Sequence, residues 1–142
     1  MKTLTILALI ALLAAMAWVR LYKIDAEKWH KRPELRDVGE YPAPGGFAAV
    51  LNSADPAIQD LARLAALIQD TPRTVGLAGS LEDRHLSFVT RSTFWGFPDV
   101  TNIALIDDRL VIEGHLVLGR SDLGVNRNRI QNWLQALRQA RV

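Results

Sequence analysis

The chain has 142 residues and a formal charge of +2, with 49% hydrophobic and 23% charged residues, a globular rather than a disordered balance. It contains no cysteine, which excludes disulfide frameworks, thiolate zinc sites and cysteine nucleophiles. The small net charge argues against nucleic acid as a partner, and about 100 residues beyond an apolar N-terminus suffice for one domain with its own core.

From Leu4 to Val19 no residue is charged and only Thr5 is polar. The apolar residues fall on every side of a helix, so this is not an amphipathic surface helix. As a helix the run rises about 24 Å, slightly short of a hydrocarbon core of about 30 Å. Arg20 can snorkel to let Leu21 and Tyr22 extend the span, and Trp18 and Tyr22 suit the interfacial aromatic belt. Residues 1–22 are therefore expected to anchor the chain, with residues 4–22 in the membrane. A cleaved signal peptide is the competing reading: Lys2 supplies a minimal basic start, Leu4 to Leu13 an apolar stretch, and Ala15-Met16-Ala17 an A-x-A cleavage pattern. Both place the domain on the periplasmic side of a bacterial inner membrane. Arg20, Lys23, Lys28, Lys31, Arg32 and Arg36 pull the other way, since positive charge after the helix favours the cytoplasmic side.

Residues 23–46 show no sustained periodicity and hold Pro33, Pro42, Pro44, Gly39, Gly45 and Gly46, which reads as an irregular tether. The domain is expected over residues 47–142. Asp55 as N-cap and Pro56 at the first helical position open a helix with Ile58, Leu61, Ala62, Ala65 and Ile68 on one face. Asp70-Thr71-Pro72 ends it. Four strands are predicted next, over Thr74–Ser80, His85–Ser92, Val100–Ile106 and Arg109–Leu118, joined by polar turns at Glu82-Asp83-Arg84 and Asp107-Asp108. Short turns between alternating strands imply antiparallel pairing. Ile130, Trp133, Leu134 and Leu137 form the core stripe of a last helix. The fold class is α+β: a four-stranded antiparallel sheet with helices packed on one face, plus the N-terminal apolar helix.

Few residues combine into recognisable chemistry. The histidines are His30, His85 and His115, with no i, i+4 pair. His85 and His115 on neighbouring strands make two ligands conceivable, but no credible metal set or cofactor site emerges. Gly119-Arg120-Ser121-Asp122-Leu123-Gly124 fails as a nucleophile elbow, because Leu123 stands where Gly-x-Ser-x-Gly needs glycine. Gly76-x-x-Gly79 is neither a Walker loop nor a dinucleotide fingerprint. Phe94-Trp95-Gly96-Phe97-Pro98 places three aromatics between two strands, to line a small apolar pocket, to touch a membrane, or, as the plainer reading, to cap the sheet end as ordinary core. From Arg120 to Arg141 five arginines face only Asp122, a strip for anionic lipid or, more plainly, a solvated helix face.

The stretch Gly119-Arg120-Ser121-Asp122-Leu123-Gly124-Val125-Asn126-Arg127-Asn128-Arg129-Ile130, leading into Trp133-Leu134, resembles the signature of a bacterial and plastid family, domain of unknown function 1499. It departs at Asn128, where lysine or arginine is usual. Thr90-Arg91-Ser92, Trp95-Gly96-Phe97-Pro98-Asp99 and Trp29-His30 resemble one branch of that family, which commonly has aspartate where this chain has Arg32 before Pro33. The resemblance implies a non-cytoplasmic, often membrane-associated domain without an established activity. Physically the motif is a strand-to-helix junction. Ser121 and Asp122 can accept hydrogen bonds from free helix-start amides, Gly124 permits a positive φ, and Arg127 and Arg129 need a carboxylate (Asp122, Asp99 or Glu113) or an anionic ligand. The candidate binding residues are Arg120, Ser121, Asp122, Asn126, Arg127 and Arg129. The leading expectation is a non-enzymatic, membrane-anchored envelope domain that binds a protein or lipid partner. The alternatives are a small hydrolase using Ser121 or a histidine, and a carrier for an apolar ligand under Phe94–Pro98.

Overall fold

The computed structural model describes all 142 residues. In chain order its elements are α1 Lys2–Leu21, α2 Ala26–Trp29, β1 Gly39–Ala43, β2 Gly46–Asn52, α3 Ala57–Gln69, β3 Thr74–Ser80, β4 His85–Arg91, β5 Pro98–Ile106, β6 Arg109–Leu116 and α4 Val125–Ala140. The strands form one antiparallel sheet in the order β1-β2-β6-β5-β4-β3.

The sheet has six strands, not four. β1 lies in a stretch punctuated by Gly39, Pro42 and Pro44, and it is an edge strand, where proline is tolerated because one row of amides needs no partner. β2 runs Phe47-Ala48-Ala49-Val50-Leu51 without alternation because both of its faces are covered, and all five residues are buried. The four strands from β3 to β6 lie near their expected positions, and β5, covered on both faces like β2, is buried from Pro98 to Leu105. Asp107 and Asp108, at φ 47 and 59, make the two-residue hairpin turn whose backbone hand matches strand twist.

Registry fixes two faces. Phe47, Ala49 and Leu51 on β2, Phe88 on β4, Ile103 and Leu105 on β5, and Leu110 and Ile112 on β6 point toward α3 and α4. Those helices close the core with Leu61, Leu64, Ile68, Ile130, Trp133, Leu134 and Leu137. Both lie on this one face, and Trp133 Nε1 donates to Thr71 Oγ1 at 2.8 Å to tie them together. α3 is rotated from its expected face. Its buried residues are Asp60, Leu61, Leu64 and Ile68, while Ile58 is exposed. Pro56 precedes the helix instead of opening it, and no side chain caps that end. The rotation buries Asp60, which accepts from Ala54 N at 2.8 Å and pairs with Arg141 at the far end of α4.

The opposite face carries His85, Ser87, Val89, Val100, Asn102, Ala104, Val111, Glu113 and His115. It is crossed by the segment between α1 and β1. Asn102 Nδ2 donates to Trp29 O at 3.1 Å, Arg32 reaches Asp83 O at 2.6 Å in the β3–β4 turn, and Arg109 donates to Arg36 O at 3.1 Å. The chain thus travels the length of the sheet and returns as β1.

Candidate functional site

One end of the sheet gathers the features with chemical character. Pairing of Arg91 with Pro98, Asp99 with Leu116, and Gly46 with His115 puts the Phe94–Phe97 loop, the β1–β2 turn and the β6–α4 junction along one edge. α1 docks at that edge.

The docking is made by arginine. Arg91 donates to Val19 O at 3.0 Å, to Tyr22 O at 2.6 Å and to Gly96 O at 3.1 Å. It thereby serves the Tyr22 carbonyl past the helix end, adds a second donor to Val19 O, which also accepts from Tyr22 N, and its charge suits the negative end of the helix dipole. Arg20 donates to Phe94 O at 2.6 Å in return. Gly96, at φ 77, lets the loop approach, since a Cβ there would lie 2.5 Å from Arg20 Cγ. The aromatics of this loop do not fill the core, as the plainer reading of the sequence expects: Phe94 is 67% exposed and Phe97 40%. Trp18 and Leu21, on the helix end whose Arg20 bonds Phe94 O, are exposed as well.

The motif residues occupy the other side of the same edge, and they divide sharply. Asp122 caps α4: its carboxylate accepts from Gly124 N at 3.1 Å and Asn126 N at 2.9 Å. Burial pushes the Asp122 carboxyl up, but these amides outweigh it and hold it below the ordinary aspartate range. Gly124 adopts φ 81 at the N-cap. Ser121 accepts from Leu123 N at 3.3 Å, and none of the three histidines hydrogen-bonds to it. Asn126 is fully buried against Gly114, where a Cβ would sit 2.8 Å from its Oδ1. Arg129 pairs with Asp99 at 3.0 Å and reaches Asn126 Oδ1 at 3.4 Å. Burial raises the Asp99 carboxyl, and Arg129 offsets only part of that. So Asp122, Asn126 and Arg129 form one internal cluster. Arg120, Ser121 and Arg127 stay exposed, with Arg127 5.8 Å over the Phe47 ring. Leu123 beside them is 92% exposed at φ 52.

The second sheet face holds a different polar group. His30 and His85 stack at 3.9 Å, and His115 does not join them. Ser87 donates its one proton to Asn102 Oδ1, so the 2.6 Å contact with His30 requires His30 Nδ1 to donate. Ser87 is 1% exposed and its proton is committed, so this serine–histidine pair binds structure together and offers no nucleophile. His85 is held below the ordinary histidine range by burial first and by His30 second. Glu113 is lowered by its hydrogen bond to His115, against burial, with Arg36 adding to the effect. No group of three or more His, Asp or Glu side chains is placed to hold a metal ion.

Sequence reasoning missed the arginine arrangement at the α1 end. Arg20, Arg73 and Arg91 come from the end of α1, the turn after α3 and the end of β4, and only Arg91 falls in a motif. A signal was present in the aromatic loop, whose glycine and proline suit a surface turn better than a core plug.

The architecture is a small α+β domain carried behind an N-terminal apolar helix long enough to cross a membrane or to act as a signal sequence. A family model described as "Protein of unknown function (DUF1499)" matches residues 34–137, and the chain belongs to that family. No curated protein matches the chain.

Proposed function

We propose that the protein is a non-enzymatic, membrane-anchored envelope domain that works at the lipid surface. In this reading residues 4–22 span a bacterial inner membrane and the domain lies on the periplasmic side, its α1 end pressed against headgroups. The observation that carries it is that Phe94 and Phe97 are exposed on the loop that Arg20 bonds, and Trp18 and Leu21 are exposed on the helix end that Arg91 clamps to the domain. Exposed aromatic side chains beside arginine are what an interfacial surface needs, because aromatics partition to the headgroup level while guanidinium groups face phosphate.

The absence of native cysteine makes the reading easy to test. Phe94→Cys and Glu82→Cys place one thiol at each end of the sheet in the full chain. In proteoliposomes a polarity-sensitive dye on Phe94→Cys should emit blue-shifted and be quenched by lipid-borne nitroxide, whereas the dye on Glu82→Cys should report water. In spheroplasts Glu82→Cys should react with a membrane-impermeant maleimide. Equal emission at both positions overturns the surface reading, and protection of Glu82→Cys until lysis overturns the sidedness.

A further inference from the structure

Beside the docked helix end lies an open cleft of about 320 Å³, lined by Arg20, Arg73, Arg91, Ser92, Val75 and Val89 among others. We propose that this cleft binds the phosphate of an anionic phospholipid from the leaflet in which α1 ends. The inference rests on the membrane reading above and adds to it a defined ligand.

Charge comes first. No carboxylate lies within ion-pair distance of Arg20, Arg73 or Arg91, whereas Arg109, Arg129 and Arg141 each have one and Arg36 has two. The negative helix end is the one local counter-charge, worth about half an elementary charge, and Arg91 already meets it. Two guanidinium charges remain in excess around one cavity.

Donor capacity comes second. Arg91 spends three hydrogen bonds on backbone carbonyls, and Arg20 spends one. Arg73 donates only through Nε, to Arg91 O at 3.0 Å, which leaves both of its terminal amino groups without a protein acceptor. That bond orients the side chain and leaves the planar fork free, the geometry that takes two phosphate oxygens at once.

Position comes third. The cleft starts at Arg20, the first charge after the apolar run, which is the depth at which phosphates lie when residues 4–22 span the bilayer. Val75, 60% exposed, and Val89 supply an apolar wall next to the guanidinium groups. A soluble phosphate ester has no use for that wall, whereas a diacylglycerol phosphate covers it, and this favours the lipid over a free anion.

The test uses the full chain in neutral detergent micelles. Dihexanoyl phosphatidylglycerol should bind saturably and raise the melting midpoint, dihexanoyl phosphatidylcholine should not, and added salt should weaken the effect. Arg73→Gln should lower the phosphatidylglycerol affinity about tenfold, the loss expected for one bidentate charged contact. Val75→Glu, which sets a carboxylate in the cleft from an exposed strand position, should abolish binding with the far-ultraviolet circular dichroism unchanged. Equal response to the two lipids, or parental affinity in a folded Arg73→Gln, overturns the site. Glycerol 3-phosphate binding as tightly as the lipid overturns the lipid assignment. The dye on Phe94→Cys separates the two failures: a lipid-buried dye with no headgroup preference removes this cleft alone, and a water-exposed dye removes the surface reading beneath it.

Discussion

The two faces of the sheet are covered in different ways, and the difference shows what each kind of cover demands. α3 and α4 satisfy their own backbone hydrogen bonds, so the strands beneath them can be largely apolar, as Phe47, Ile103, Leu110 and Ile112 are, with Thr90, Asp99 and Thr101 as polar exceptions toward the β6–α4 end. The connector on the other face is mostly extended between α2 and β1, and its carbonyls must find partners elsewhere. The sheet supplies them through Asn102 to Trp29 O and Arg109 to Arg36 O, and the β3–β4 turn accepts from Arg32. Polar residues on that face are the counterpart of an irregular cover.

Substitutions can break this contrast. The largest effect should come from Ile112→Ala under the helices, a truncation of a fully buried residue that costs about 2–5 kcal/mol through lost transfer energy and cavity. Asn102→Ala on the other face should cost about 1–3 kcal/mol, because it strands the Ser87 hydroxyl and the Trp29 carbonyl, not because apolar area is lost. Chemical denaturation of the full chain in micelles measures both. A cost for Asn102→Ala near zero would show that the connector adds nothing to the fold. The connector should also become far more sensitive to proteolysis in Asn102→Ala than in Ile112→Ala at matched global stability.

The smallest effect is that of pH, and its histidine part belongs to the connector face. His85 titrates below its unfolded value, so the folded state resists a proton that the unfolded state accepts. Its stabilising contribution is fully present above the unfolded value of about 6.5 and is lost as pH falls from there toward the folded one. Glu113 and Asp122, both lowered, act in the same direction only near and below the ordinary carboxylate range, while Asp99, raised by burial, acts in the opposite direction above it, so the histidine is isolated by comparing the parent with a His85 variant from pH 7 to pH 5. The melting midpoint should drop across that interval and should drop less in His85→Gln. An equal drop in both would assign the pH response elsewhere.

Much of the helix face was legible in advance because its signals are local and periodic. Ile130, Trp133, Leu134 and Leu137 fall at helical spacing and are all buried, and β3 occupies the expected residues Thr74–Ser80. β1 and β2 were not legible. Proline and glycine dominate one, and burial on both sides erases alternation in the other. The connector's role was hidden for a related reason, since hydrogen bonds from Asn102 or Arg109 to distant carbonyls leave no period in a sequence. At the candidate site the split was similar. The cap made by Asp122 follows from residue type alone, but Arg129 finds Asp99 across thirty positions only because β5 begins where α4 begins. The arginine cleft depends on a helix end, a strand end and a loop meeting, which no one-dimensional pattern records.

The folded-back path of residues 23–38 also sets the radius of action. As a free coil the segment from Lys23 to Val38 would let the domain roam roughly 20–25 Å from its anchor point. Laid along the sheet and bonded at Trp29, Arg32 and Arg36, it contributes almost no slack, and Arg91 grips the anchor directly. With α1 in a membrane, as proposed, a protein held this way samples a thin layer instead of a volume, so encounters with anything confined to the same plane occur at a high effective concentration. Species in bulk solution must come to it.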